Sequence, residues 1–262
     1  MSRPFLMVAP NGARRSKADH ASLPTRPIGI SSLPLTLAET LATARACHAA
    51  GADALHLHVR DETGAHSLDA GRYREALDEL ARTLPKMRLQ ITTEAAGVFE
   101  VNEQLACLKA LRPPWASVSV REIARAPELA AHLYATCEDN KTEVQHILYD
   151  ATDVALLQDW QARGIIRPKQ TSVIYVLGRY TSGQASKSDD LLPFLAAHKE
   201  RQDWMVCAFG PEEHICLLAA AKQGGSLRVG FENSLVSDTG TPHKDNAASV
   251  SALIAQLERI PA

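Results

Sequence analysis

No stretch of this 262-residue chain is long and apolar enough to span a membrane. No block of like charges occurs, and the formal net charge is only −2. Neither a membrane nor a nucleic-acid partner is therefore expected. The apolar run within residues 1–10 is too short for a secretory signal and leads directly into Asn11-Gly12, which predicts a cytoplasmic protein. The five cysteines are scattered, odd in number and without a Cys-x-x-Cys pair, so they read as unpaired core thiols. Gly-x-Ser-x-Gly, Gly-x-Gly-x-x-Gly and Walker-type loops are all missing. Nothing therefore signals an elbow serine, a dinucleotide or a nucleotide phosphate. No linker or low-complexity segment divides the chain, and 45% of its residues are hydrophobic. One domain over residues 1–262 is expected.

What the chain does have is alternation. Strand-like runs at 4–10, 53–59, 88–93, 115–120, 143–149, 171–177, 204–208 and 226–231 are each followed by a helical pattern. The helices read as 35–50, 70–84, 100–111, 127–138, 152–163, 188–199, 211–222 and 245–259. Eight βα units in a chain of this length predict an α/β fold, the (β/α)8 TIM barrel. A doubly wound open sheet is the alternative, but its glycine-rich first turn is replaced here by Pro10-Asn11-Gly12-Ala13-Arg14-Arg15. A long segment over about 10–33 follows the first strand and is expected to lie over the barrel mouth.

A barrel of this kind builds its site at the carboxyl ends of its strands. The second strand carries His56-Leu57-His58 and ends in Arg60-Asp61. Positions i and i+2 of a strand share a face, roughly 6.5 Å apart. Two readings are open there: a pair of hydrogen-bonded core histidines, or two ligands of one ion. Closure places strand 8 beside strand 1, which neighbours strand 2, so Glu232 can reach the same point. Two imidazoles and a carboxylate leave open positions, the pattern of a catalytic divalent ion, zinc foremost. Arg228, four residues earlier, shares the face of Glu232 and can pair with it. Further polar groups stand at other strand ends: Asn11, Thr92-Thr93-Glu94, Ser117 and Ser119, Gln145, and Arg179. His146, alone in mid-strand, reads as a satisfied core residue. The other histidines have no paired spacing and read mostly as surface or loop. The cluster Arg14, Arg15 and Lys17 is either solvated or a site for an anion.

These residues resemble the β-keto acid cleavage enzymes. The matching stretches are 9–20, 47–52, His56-Leu57-His58-Val59-Arg60-Asp61, the scattered positions Gly64 to Tyr73, and Arg228-Val229-Gly230-Phe231-Glu232-Asn233. The resemblance runs through most of the chain. It implies a barrel binding Zn²⁺, or another divalent ion, through His56, His58 and Glu232. It also implies a transferase reaction in which a β-keto acid and acetyl-CoA exchange carbons, giving acetoacetate and a new acyl-CoA. Arg228 matches the catalytic arginine, and Thr92 and Ser117 match hydroxyl positions lining the substrate site. With Asn11, Arg14 and Ser119 these form the expected substrate-binding set. The resemblance further implies a homotetramer or homodimer.

Three residues depart from the family pattern. Asn233 replaces an aspartate that pairs with the arginine as a base, and an amide takes no proton at ordinary pH. Arg14 replaces a glutamate that meets a substrate amine, which points to an acidic or neutral substrate. Gln145 stands where a glutamate is expected. Two rivals remain at this level. A metal-dependent barrel hydrolase would place His-x-His on strand 1 and a lysine on strand 4, whereas strand 4 here reads Ser117-Val118-Ser119. A non-catalytic keto-acid or CoA-ester binder is the other, motivated by Asn233 and Gln145.

Overall fold

A computed structural model describes residues 3–21 and 33–259. The barrel strands are β1 (Leu6–Val8), β2 (Ala54–Leu57), β3 (Arg88–Thr92), β4 (Trp115–Ser119), β5 (Glu143–Leu148), β6 (Ser172–Leu177), β7 (Trp204–Ala208) and β8 (Ser226–Val229). They form one closed barrel in chain order, with β8 meeting β1. Every pairing in the barrel is parallel. The main helices are α1 (Leu37–Ala49), α2 (Ala70–Thr83), α3 (Val101–Leu111), α4 (Pro127–Asp139), α5 (Ala151–Ala162), α6 (Leu192–Ala197), α7 (Glu213–Lys222) and α8 (Asn246–Leu257). The fold is the (β/α)8 barrel read from the alternation. Among the described residues no helix is long and apolar enough to cross a membrane.

Helix starts follow side-chain chemistry. Thr36 and Glu39 form a reciprocal capping box before α1, and Asp69, Asp150 and Asp245 accept first-turn N–H groups of α2, α5 and α8. The core has two shells. Inside the barrel, Met7, Ala54, Ile147, Ile174, Val176 and Met205 pack together. The larger shell lies between barrel and helices, where both sheet and helices bury their apolar faces.

The structure revises some boundaries. β2 ends at Leu57, and the next residues form a two-stranded hairpin, Val59–Arg60 with His66–Ser67. Short helices follow β1 (Lys17–Ala21) and β4 (Val120–Ile123). The expected helix over 188–199 is a 3₁₀ turn, Ser188–Leu191, running into α6. Pro193 in the first turn of α6 explains the break, because it supplies no N–H to a preceding turn. Residues 22–32 of the long segment after β1 lie outside the described residues.

All five cysteines are unpaired and buried. His146 is a core residue as expected, packed on Tyr134 with Nε2 donating to the Gln170 carbonyl at 3.0 Å. His198 and His214, in contrast, are not surface residues. Both are buried, bonded to the Tyr175 hydroxyl (2.8 Å) and Ser249 Oγ (3.0 Å). Their apolar neighbours come from distant elements, which local spacing does not report.

Burial lowers the His146 imidazole from 6.5 to about 4. The unfolded chain takes up that proton first as pH falls. Its contribution to stability is therefore complete above 6.5 and lost progressively toward 4, a loss on the order of 3 kcal/mol. His146→Gln keeps a donor for the Gln170 carbonyl and removes the titration. Its melting temperature is expected to fall less steeply than wild type between pH about 7 and about 4.5. Identical slopes would contradict the assignment.

Candidate metal and substrate site

At the carboxyl end of the barrel, β2 and the turn after β8 converge. His56 and His58 present Nε2 atoms to Glu232 Oε2 at 3.7 and 3.4 Å. All three side chains are buried, and the three ligand-capable atoms lie within 4.8 Å of one another. Those separations exceed hydrogen bonds. They are near the edge of a tetrahedron with zinc-type bonds, about 3.3 Å. His58 Nε2 and Glu232 Oε2 have no hydrogen-bond partner among the described residues, although both are buried. Buried polar atoms rarely stay unpaired, so the donor set fits a divalent cation.

The surrounding groups hold this set in one protonation pattern. Arg228 donates to Glu232 Oε1 at 3.0 Å and to Cys207 Sγ at 3.1 Å. Burial pushes the Glu232 carboxyl upward, but Arg228 and the two imidazoles outweigh it and hold the group well below the usual range. Burial, with Arg228 adding to it, keeps His56 neutral. Behind His56 runs a chain of amides. His56 Nδ1 meets Gln90 Oε1 at 2.6 Å, Gln90 Nε2 donates to Gln145 Oε1 at 3.0 Å, and Gln145 Nε2 faces Met205 Sδ at 3.9 Å. A thioether accepts and cannot donate. It therefore orients both amides so that His56 carries its proton on Nδ1 and offers a lone pair at Nε2. Gln145 thus stands two residues behind the ligand rather than on the cavity wall.

Glycine shapes the other side. Gly12 sits at φ +61°, where a Cβ would lie 2.5 Å from Glu232 Cγ. Arg60 donates to the Gly12 and Ala13 carbonyls, and Asn11 Nδ2 donates to the Pro34 carbonyl at 2.8 Å. These bonds fix the β1 turn against the ligand set. Glu213, at the start of α7, accepts the Gly230 N–H at 3.0 Å, and burial pushes its carboxyl well up.

Two cavities with shared walls lie at the ligands. The inner one is lined by His56, Thr92, Glu94, Tyr149, Arg179 and Arg228, among others. The outer one, about 120 Å³, adds Gly12, Arg14, Arg15 and Gln184 and shares Glu94, Arg179, Phe209 and Glu232 with the inner. A larger groove of about 610 Å³ lies at the opposite end of the barrel, around the turn before β7.

The structure gathers most, but not all, of the expected site residues. Thr92 reaches the inner cavity, with Ser117 donating to it at 3.1 Å. Arg14 reaches the outer cavity. Ser119 accepts the Glu122 N–H at 3.4 Å and caps the short helix after β4 instead. Asn11 braces the loop. The Asn233 side chain is buried, with neither amide atom paired among the described residues. The basic cluster divides: Lys17 pairs with Glu39 at 3.0 Å, and Arg15 donates to the Phe231 and Asn233 carbonyls. Gln90, Phe209 and Glu213 were not singled out in the sequence. Gln90 had a signal, a polar residue two before Thr92 on the same strand face.

Residues 4–261 match the model of the family described as beta-keto acid cleavage enzyme. The chain belongs to that family. It is 24% identical to a 3-keto-5-aminohexanoate cleavage enzyme of Fusobacterium nucleatum, over 85% of this chain and 83% of the other. It is 23% identical to a 3-oxoadipate:acetyl-CoA acetyltransferase of Cupriavidus necator, over 87% and 82%. Among solved structures, ObcA in ternary complex with a C4-CoA adduct and oxalate superposes with a TM-score of 0.66 at 17% identity, over 86% of this chain. This chain spans 64% of that ObcA chain. A 3-dehydroquinate dehydratase from Geobacillus kaustophilus gives 0.61 at 12% identity, over 98% of this chain and 93% of that one. At these identities the structural likenesses establish the barrel fold alone. Family membership and the named relatives support an enzyme acting on β-keto acids.

Proposed function

We propose that this protein is a divalent-metal-dependent β-keto acid cleavage enzyme, with zinc as the ion. It converts a β-keto acid and acetyl-CoA into acetoacetate and the CoA thioester of the remaining acyl group. The observation that carries this reading is the convergence of His56, His58 and Glu232 beside Arg228 in a member of this family. When bound there, a divalent ion polarises the keto carbonyl and stabilises enolate charge.

The chain's own residues supply the rest. Arg228 holds the carboxylate of the keto acid and neutralises oxyanion charge. Thr92, fixed by Ser117, offers its hydroxyl on the inner wall. Asn233 takes no proton, so the base lies elsewhere. Glu94 is the one carboxylate besides Glu232 among the described residues of the inner wall, and it takes the C2 proton. C2 then attacks the acetyl carbonyl, a carbon–carbon bond forms and CoA leaves as the thiolate. The thiolate attacks the original keto carbonyl, the bond between C2 and that carbon breaks, and the proton returns to C2. Atoms balance with no redox partner.

The test uses zinc-loaded protein, acetyl-CoA labelled with ¹³C at the carbonyl, and a panel of β-keto acids. Acetoacetate labelled at C3, with a new unlabelled acyl-CoA, is the expected result. Consumption of the keto acid without acetyl-CoA would favour a hydrolase, and tight binding without turnover a non-catalytic binder.

The close approach of Gly12 gives a separate prediction. Gly12→Ala must displace Glu232 and also strains a left-handed backbone position. Zinc affinity is expected to fall roughly 10- to 100-fold, read by competition with a chelator. Wild-type affinity would show that Glu232 does not hold the ion.

A further inference from the structure

We infer that His66 is the outer partner of the metal ligand His58: its Nδ1 accepts the His58 Nδ1–H when His58 Nε2 holds the ion, and its Nε2 ties that ligand to the loop carrying Glu94. This inference rests on the metal reading above and adds a positioning residue to it. A histidine that binds a metal through one ring nitrogen donates its other N–H to an acceptor, which fixes the tautomer and the ring orientation. His56 has that acceptor in Gln90 Oε1, at 2.6 Å. His58 does not: its Nδ1 is buried with no hydrogen-bond partner among the described residues.

The hairpin after β2 supplies the missing group. Arg60 stands opposite His66 in its register, so the chain doubles back and lays the His66 ring against the ligand. The two ring centroids are 5.1 Å apart. His66 Nε2 meets the Glu94 carbonyl oxygen at 2.9 Å. A carbonyl only accepts, so Nε2 carries the proton. Burial first, and then the neighbouring His58 ring, lower the His66 imidazole to about 3, so the ring is neutral. A neutral ring with its proton on Nε2 leaves a lone pair on Nδ1. That atom is buried too, and has no partner among the described residues. The two orphans are complementary. With the ion on Nε2, His58 has an N–H to give at Nδ1, and His66 has a lone pair to take it.

A hydrogen bond of about 3 Å between two ring nitrogens spaces the ring centroids roughly 5 Å apart. The observed separation already suits the bond, and a turn of the His58 ring as Nε2 meets the ion completes it. The acceptor is held ready, because the Glu94 carbonyl fixes one edge of His66 and the Phe99 ring stands edge-on to it with centroids 5.7 Å apart. The same residue then sets the spacing between the ion and the backbone of Glu94, the base of the proposed reaction.

Two variants separate the two nitrogens. An asparagine amide reaches the place of Nδ1, and a glutamine amide that of Nε2. His66→Asn keeps an acceptor for His58 and gives up the Glu94 carbonyl; His66→Gln does the reverse. Zinc affinity, read by competition with a chelator, is expected to fall roughly 10- to 100-fold in His66→Gln and to stay near wild type in His66→Asn. A purely structural role would give the opposite order, since glutamine is the closer match in length and retains the bond to Glu94. Proton NMR of the cobalt-substituted proteins gives a second reading that needs no turnover. Wild type and His66→Asn should each show two slowly exchanging, metal-shifted imidazole N–H resonances, one from His56 and one from His58. His66→Gln should retain only one. Wild-type zinc affinity in His66→Gln, equal losses in both variants, or a single slowly exchanging resonance in the wild type overturns the inference while leaving the metal reading in place. A wild-type protein that takes up neither zinc nor cobalt sinks the metal reading itself, and this inference with it.

Discussion

His58→Ala is expected to strip the ion and end turnover. His58 is fully buried, and its Nε2 lies 3.4 Å from Glu232 Oε2. Among the described residues only His56 and Glu232 join it in the cluster. Two ligands cannot hold a catalytic zinc against a chelator, so content should drop from about one ion per chain to near zero. Turnover should fall by roughly three orders of magnitude or more, since the ion carries the enolate charge. The substituted residue follows β2 rather than lying inside it, and its ring packs on His56 and His66 instead of in the main core. The variant should therefore keep its circular dichroism and a cooperative melt. Elemental analysis beside an activity assay reads the outcome. Full metal occupancy, or loss of turnover with the ion retained, would refute the ligand assignment.

The second large effect concerns the charge pair behind the ligands. Arg228→Met leaves Glu232 buried with an uncompensated carboxylate when no ion is present. Breaking a buried pair from one side costs about 3–5 kcal/mol. For a chain of this size that is roughly 10 °C in melting temperature. Arg228→Met with Glu232→Gln removes both charges and should recover most of the loss. The measurement is a thermal melt of all variants in chelator, analysed as a double-mutant cycle. Added zinc should raise the melting temperature of Arg228→Met, because the ion supplies the missing positive charge, but not that of the double variant. A double variant as unstable as the single would show that Arg228 acts through packing. Turnover of Arg228→Met should fall about 100- to 1,000-fold even with zinc bound.

Much of the barrel is legible without coordinates, because alternation is a local property. Most strands carry a short apolar run, buried on both faces as in a barrel ringed by helices, and the β7 boundaries match residue for residue. The errors fall where tertiary context overrides local pattern. His198 and His214 look like surface residues along the chain, yet packed neighbours bury them. Ser119 shares a strand face with Ser117, but the chain turns into a short helix at that point and spends the hydroxyl on a cap. Gln145 looks like a substituted acid, whereas its amide is one link in a chain that ends at a thioether. Such roles depend on what lies across the barrel, tens of residues away in sequence.

The amino-acid sequence by itself determined the eight βα units, the two-residue spacing of His56 and His58 at the end of β2, and the family. Each of these is carried by residue order along the chain. Only the tertiary structure decided what those histidines face. Closure of β8 on β1 carries Glu232 across to within 3.4 Å of His58, and Gly12 leaves the space it occupies. It likewise decided that Arg14 and Arg179, 165 positions apart in the numbering, meet one carboxylate at the same cavity wall. The reason is physical: a strand dictates the direction of its own side chains, but the distance between two strand ends is set by barrel closure.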